Sequence, residues 1–353
     1  MKRKLACAVA VILTLVAAGA LYAKRLSVAE EVRRIVTASC VTSIAVSADG
    51  TTLATGDEEG KVTWWDIEAW TPRTRVATEG NGRIGVLEIS ADGKLVACGS
   101  GSGGVVVLDT ATASQVFRGN VDLQLSDLSF SRDGRQLAVA GRKSTGSAVD
   151  LWQTGDWTRN PILSDSTEDI TAIQFAASGE SLFVQLDGLP LREIELPSGR
   201  LRRTFDATEY GEPTLAADKD GALLIVGSAI LEIDGGTTYG VDVVDLSASK
   251  RLQRIPFQGG KLRYCDGNRL LVGVSHRPNT IPNAVKSMVV GGSTLHVYEA
   301  ESGRELLRQR SRDQLNDAAA LPEQNLVVAV GCDRPGRGVV VVYRVPQTPE
   351  GGK

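Results

Sequence analysis

Residues 47–66 read SADGTTLATGDEEGKVTWWD, a stretch that sets out a turn, a hydrophobic run, a second turn and another hydrophobic run. The pair Asp49-Gly50 predicts a tight turn, because glycine accepts the positive φ angle that such turns require. Apolar runs of about 4–8 residues between turn residues are typical of buried strands. The stretch and its flanks therefore predict four antiparallel strands, at residues 41–46, 52–55, 62–65 and 73–78.

The same order of turns and strands recurs seven times along the chain. The residues that close the first turn of each repeat are Gly50, Gly93, Gly134, Gly179, Gly221, Gly267 and Asn325, which lie 43, 41, 45, 42, 46 and 58 residues apart. Steps of about 40–45 residues with four strands each are the spacing of propeller blades. We therefore predict an all-β fold, a seven-bladed β-propeller of four-stranded blades.

The chain ends one strand short of a complete seventh repeat. Its last predicted strand, 339–343, is only the third of that repeat, and the polar residues 346–353 behind it predict a disordered tail. Residues 32–36 read VRRIV and resemble the predicted outer strand 201–205, LRRTF, in their pattern. We therefore expect 32–36 to complete the seventh blade, so that the two ends of the domain seal the ring.

The stretch 47–66 ends in Trp64-Trp65-Asp66 and resembles a blade of the WD-repeat β-propellers, as do residues 90–109 and 131–152. The resemblance covers nearly the whole predicted domain and is clearest in the first three repeats. It departs from the family pattern because no Gly-His dipeptide precedes any inner strand. The chain is thus most similar to divergent bacterial propellers, an architecture that hosts scaffolds, enzymes and lectin-like modules alike.

Length and charge limit the possible organisation and partners. Repeat folds grow by adding units around a ring, so the 353 residues do not require two domains, and we predict one domain over residues 26–345. The chain has 39 basic and 42 acidic residues, a formal net charge of −3. Such a balance provides no positive field that would attract nucleic acid, so we expect no nucleic-acid partner.

The first 25 residues differ in character from the rest of the chain. Cations at 2–4 precede an apolar stretch at 5–23, which predicts export across a membrane. Small residues at 18–20 favour a cleaved signal peptide, whereas the length of the stretch and the basic pair 24–25 favour a retained membrane anchor. Both alternatives stay open, and both predict a periplasmic or cell-envelope protein.

Four cysteines lie in the predicted exported part: Cys40, Cys98, Cys265 and Cys332. They share no close spacing and fall in different repeats, which favours buried thiols. An oxidising compartment also allows disulfides. If one bridge exists, we expect it between Cys40 and Cys332, because ring closure places the first and last blades side by side.

The connections between second and third strands vary in length and offer the best functional signal. They are predicted at 57–60, 99–104, 141–147, 228–240, 275–292 and 332–338. In a propeller they emerge on one face with the connections that enter each inner strand, and variable loops on a rigid scaffold are typical of binding sites. The candidate partner-binding residues are Arg142, Lys143, His276, Arg277, Asn279, Lys286, Arg334 and Arg337. The alternative is that these are ordinary solvated charges.

The sequence contains no nucleophile elbow, paired-carboxylate motif or metal-ligand cluster. His296 lies in the middle of a predicted strand, which favours a structural role. We therefore predict no catalytic residues, no metal and no cofactor, and we interpret the chain as a non-catalytic cell-envelope scaffold that binds a protein through its long-loop face. The alternative is an enzyme or small-molecule binder, lactonase-like or quinoprotein-like, that uses the axial channel.

Overall fold

The structure, a computed structural model, describes residues 29–78, 82–99, 104–119, 123–205, 215–217, 223–231, 237–248, 250–257, 262–265, 270–276, 292–321 and 324–345. All regular elements in these ranges are β-strands. None of the described residues forms a helix long and apolar enough to span a membrane. The predicted export segment and the predicted tail 346–353 lie outside the described residues, so the predicted domain limits stay predictions.

The strands of the first half are β1 (Glu30–Thr37), β2 (Val41–Val46), β3 (Leu53–Asp57), β4 (Lys61–Asp66), β5 (Thr71–Ala77), β6 (Val86–Ile89), β7 (Leu95–Gly99), β8 (Val105–Asp109), β9 (Gln115–Gly119), β10 (Gln124–Phe130), β11 (Gln136–Lys143), β12 (Gly146–Gln153), β13 (Arg159–Ser166) and β14 (Ile170–Phe175). Those of the second half are β15 (Ser181–Leu186), β16 (Leu191–Glu195), β17 (Leu201–Phe205), β18 (Leu215–Ala217), β19 (Leu223–Leu231), β20 (Thr237–Asp245), β21 (Lys250–Ile255), β22 (Leu262–Cys265), β23 (Leu270–His276), β24 (Ser293–Glu299), β25 (Glu305–Arg310), β26 (Gln314–Leu321), β27 (Leu326–Arg334) and β28 (Arg337–Arg344).

The described strands form seven four-stranded antiparallel sheets, which we number as blades 1–7. Blades 1 to 6 each take four consecutive strands, from β2–β5 to β22–β25, and blade 7 has the order β1-β28-β27-β26. The first strand of each blade contacts the first strands of both neighbouring blades, and β26 of blade 7 contacts β2 of blade 1. The predicted seven-bladed propeller is confirmed.

The Ser-x-Asp-Gly turns between first and second strands are built by side chains. Ser47 Oγ donates to Asp49 Oδ1 at 2.6 Å and accepts the backbone N–H of Thr52 at 2.9 Å, while Asp49 Oδ1 also accepts the N–H of Thr51. Gly50 has the predicted positive φ, 70°. Bonds from Ser47 and the Thr51 backbone hold the pKa of Asp49 below its usual value. The turns at Ser90–Gly93 and Ser131–Gly134 repeat these contacts.

Middle strands are apolar on both sides because each blade is covered by two neighbours. In β27, Val327 and Ala329 belong to a cluster with blade 6, whereas Val328 and Val330 belong to a cluster with blade 1. All four side chains are fully buried. A blade without one of its neighbours would therefore expose a complete apolar face.

The predicted closure of the ring is confirmed. The strand β1 pairs antiparallel with β28, with Arg34 opposite Val341 and Ile35 opposite Val340, and it extends beyond the predicted residues 32–36. An ion pair adds to this ladder, since Arg34 Nη2 lies 2.8 Å from Oδ2 of Asp313, which is almost completely buried. The N-terminal strand is thus the outer strand of blade 7.

A disulfide joins Cys40, which precedes β2, to Cys332 in β27, and the two Cα atoms lie 4.8 Å apart. This is the pairing predicted for a bridge. Asn316 Nδ2 donates to the backbone oxygen of Val41 at 2.8 Å beside the two sulfur atoms. Cys98 is a buried free thiol, and burial raises its pKa to about 12. Blades 1 and 7 are therefore joined covalently as well as by packing.

The predicted connections at 141–147, 228–240 and 332–338 are too long. β11 continues to Lys143 and pairs with Gly146, β19 and β20 stay paired out to Leu231 and Thr237, and β27 continues to Arg334, opposite Arg337. Backbone ladders need no apolar side chains once a hairpin is in register, so polar residues extend the strands. Short turns on projecting hairpins replace these loops.

Removing β1 tests the closure. We expect a chain that begins at Cys40 to be insoluble, or to unfold at a markedly lower temperature than a chain that begins at Ala29, because β28 would lose its outer ladder. Thermal unfolding followed by circular dichroism makes the comparison. Equal unfolding midpoints for the two chains would contradict closure by β1.

The disulfide closes a loop of nearly the whole domain, with a sequence separation of 292 residues. We expect the double substitution Cys40→Ser and Cys332→Ser to lower the free energy of unfolding by about 2–5 kcal/mol, since long loops lose the most entropy on cross-linking. Denaturant unfolding with and without reductant measures it. The Cys98→Ala variant is the control, and it should stay sensitive to reductant. Sensitivity to reductant in the double variant would disprove the bridge's role.

Candidate partner-binding face

One face of the ring carries two sets of connections. In an antiparallel blade, the start of the first strand, the end of the second and the start of the third lie at the same edge. The seven hairpins that join second to third strands, from β3/β4 to β27/β28, therefore share an edge with the segments that enter the first strands. We call this surface the long-loop face.

The structure places Arg142 and Lys143 at the end of β11 on this face. Arg142 is exposed and forms an ion pair with Asp169, which lies in the segment that enters β14 of the next blade. Ser147 Oγ donates to the same carboxylate at 3.3 Å. Lys143 is half-buried opposite Gly146 at the hairpin tip. Arg142 thus joins blades 3 and 4 across the surface, a partner that the sequence pattern did not indicate.

Arg334 and Arg337 flank the tip of the β27/β28 hairpin. Arg337 Nε lies 2.9 Å from Asp333 Oδ2 on the same hairpin. Arg334 is exposed, and no ion pair to it is found among the residues that the structure describes. The two arginines therefore differ, because one has its charge balanced locally and the other presents it to solvent.

The remaining candidates are only partly placed. His276 ends β23, with its backbone opposite Ser293, and its side chain lies outside the described atoms. Arg277, Asn279 and Lys286 also lie outside the described residues. The structure therefore brings Arg142 and Lys143 together on one hairpin and Arg334 and Arg337 on another.

The acidic hairpin β3/β4 has a larger structural role than its charge suggests. Asp57 is buried, and its carboxylate accepts the N–H groups of Glu59 and Lys61 and lies 2.6 Å from Arg75 Nη2. Glu59 pairs with Lys61, whose hydrogen bond and charge lower the pKa of the Glu59 carboxyl. Much of the negative charge on this side of the face is thus balanced locally, and Arg75 was not among the sequence candidates.

Two buried carboxylates near the axis connect neighbouring blades. Asp127 of β10 and Asp317 of β26 occupy the same position, directly after a β-bulge. Asp127 Oδ2 accepts the N–H of Ile173 in blade 4 at 3.0 Å, and Asp317 Oδ2 accepts that of Ile44 in blade 1 at 3.3 Å. Arg263 Nη2 of blade 6 lies 2.8 Å from Asp317 Oδ2. These groups hold blades together, and no group of three potential metal ligands is found among the described residues.

Comparison with known proteins supports this fold. Residues 31–66 match the family described as WD domain, G-beta repeat. The matched segment contains β1 and the first three strands of blade 1, so one sequence repeat spans two blades. The β-propeller domain of Cps50 (Swd1) from Myceliophteria thermophila is similar in structure, with a TM-score of 0.72 over 90% of this chain and 100% of that chain, at 15% sequence identity.

Two curated relatives match a smaller part of the chain. Autophagy-related protein 18 of Kluyveromyces marxianus is 32% identical over 103 residues, which are 28% of this chain and 19% of that protein. The protein of the same name from Kluyveromyces lactis is 34% identical over 115 residues, 31% of this chain and 22% of that protein. The matched region spans only about a fifth of each relative's length.

Fold, repeat match and structural likeness agree on the class of protein. The chain is a WD-repeat-like β-propeller with seven four-stranded blades.

Proposed function

We propose that this propeller is a non-catalytic scaffold of the cell envelope that binds a protein partner through its long-loop face. The observation that supports the proposal most is the contrast between the ring and its hairpins. The ring is closed by a strand ladder and a disulfide, whereas β11/β12 and β27/β28 project from it with charged tips. A rigid frame loses little conformational entropy on binding, because its contact residues are already positioned.

The charges on this face divide into two groups. Arg142 and Arg337 are held by Asp169 and Asp333 and would position their hairpins. Lys143 and Arg334 lie beside them at the tips and would contact acidic groups of the partner. The cell-envelope location is supported by the cations at 2–4 and the apolar stretch at 5–23.

Site-specific photo-crosslinking in intact cells tests the docking face. A photoreactive residue at Lys143 or Arg334 should give a discrete adduct with one protein, identified by mass spectrometry. Arg132 and Arg135 are the matched controls, because they are exposed basic residues on the turn between β10 and β11, at the opposite face. Adducts of equal yield from both faces, or none from the long-loop face, would refute the proposal.

The sequence insertion between β23 and β24 gives a second test. We expect deletion of residues 280–286 to abolish partner crosslinking from Arg334 while leaving the thermal unfolding midpoint unchanged, because this insertion is the most distinctive feature of the face. Unchanged crosslinking would remove the insertion from the binding site. A thermal-shift response to sugars, lactones, quinones or divalent metals would instead favour a small-molecule site in the channel.

A further inference from the structure

Blade 6 contains a hydrogen-bonded row of three side chains that the docking function does not use. Ser275 lies on β23, His296 on β24 and Glu305 on β25, so the row crosses three adjacent strands. Ser275 Oγ lies 2.7 Å from His296 Nε2, and His296 Nδ1 lies 2.8 Å from Glu305 Oε1. These are the contacts of a hydroxyl, a base and the carboxylate that orients the base.

The imidazole is held in place from several directions. His296 is almost completely buried, and the ring of Phe257 from blade 5 meets it edge-on at a centroid distance of 5.6 Å. The ring of Tyr298 lies parallel to it at 6.0 Å, and the Tyr298 hydroxyl donates to the backbone oxygen of Pro256. The row therefore faces the interface between blades 5 and 6 in a fixed orientation.

The charge of Glu305 determines which imidazole nitrogen carries the proton. Burial alone would raise the pKa of this carboxyl, but hydrogen bonds from His296 and Arg308 outweigh burial and lower it. Arg308 donates to Glu305 Oε1 through Nε at 2.9 Å, and its Nη2 lies 2.8 Å from Oε2. A charged carboxylate only accepts hydrogen bonds, so Nδ1 of a neutral imidazole carries the hydrogen. The Nε2 lone pair is then directed at the Ser275 hydroxyl.

Other blades fill the same position without a base. The residue that corresponds to His296 is Asp150 in blade 3 and Asp242 in blade 5, by the register of their second and third strands. Each is paired with an arginine of the outer strand, Arg159 at 2.8 Å and Arg254 at 2.6 Å. In blade 3 the position of Ser275 is occupied by Gly141, which has no side-chain hydroxyl. The blade architecture therefore does not itself require the serine and histidine.

We propose that Ser275 is a nucleophilic serine that accepts acyl groups from carboxylic esters, with His296 as its base and Glu305 as a positioning residue. The Ser275 hydroxyl is half-buried at the end of β23 that belongs to the long-loop face. Its oxygen attacks the ester carbonyl and its proton passes to Nε2. The carbon–oxygen bond to the alcohol then breaks, and the alcohol leaves with the proton from Nε2. Water, with His296 again as base, releases the carboxylic acid and restores the serine.

Labelling of the full-length protein with a fluorophosphonate tests this proposal, since the probe bonds to nucleophilic serines with loss of fluoride. We expect one adduct on Ser275 by peptide mass spectrometry, and slow hydrolysis of 4-nitrophenyl acetate. Ser275→Ala should abolish both. Ser198→Ala is the matched control, because Ser198 is an exposed serine that bonds to a carboxylate instead of an imidazole.

The Glu305→Gln variant separates a reactive site from a merely structural row of hydrogen bonds. Glutamine keeps an acceptor for Nδ1 but removes the charge that stabilises the imidazolium, so labelling should slow by about 10²-fold while circular dichroism stays native. Labelling of Ser275 no faster than that of Ser198, or an unchanged rate in a folded Glu305→Gln variant, would overturn the proposal. Crosslinking through Arg334 is a separate measurement, so failure here would leave the docking function standing.

Discussion

Closure of the ring is the constraint on which the rest of the structure depends. Each blade is apolar on both faces, as the alternating contacts of Val327 and Val328 show, so every sheet needs two neighbours. A linear stack would leave two apolar faces exposed to water, whereas a circle leaves none. The chain begins with the outer strand of its last blade, so the first and last blades cannot separate without breaking the β1–β28 ladder and the Cys40–Cys332 bridge.

Buried polar groups then determine how the blades align. An apolar interface is permissive, since valine packs on valine in several registers. A buried carboxylate left without donors is costly, which penalises misalignment. Asp127 and Asp317 accept backbone N–H groups of the next blade, and each bond forms only when the two inner strands are level. The pairs Asp150–Arg159 and Asp242–Arg254 act within a blade, where they link the third strand to the fourth.

The sequence predicted what depends on local patterns and missed what depends on contacts between blades. The Ser-x-Asp-Gly turns, the strand order and the closing strand follow from repeats and alternation, and the Cys40–Cys332 pairing follows from circular topology. The hairpin ends were misjudged because polar residues such as Arg142 extend a ladder without an apolar signal. Asp169 as the partner of Arg142 lies 27 residues away, and no local pattern connects two such surface charges. Arg277, Asn279 and Lys286 lie outside the described residues, so their place on the face stays a prediction.

The same argument explains how one blade acquires different chemistry without loss of the fold. The backbone ladder and the apolar faces supply most of the driving force, so the polar position in the middle of the third strand needs only a satisfied partner. An aspartate with an arginine meets that need in blades 3 and 5, and a histidine with a glutamate meets it in blade 6. The exchange replaces a group that only accepts hydrogen bonds with one that also takes up a proton near neutral pH. A position constrained only to be satisfied is one where a reactive group arises at little cost in stability.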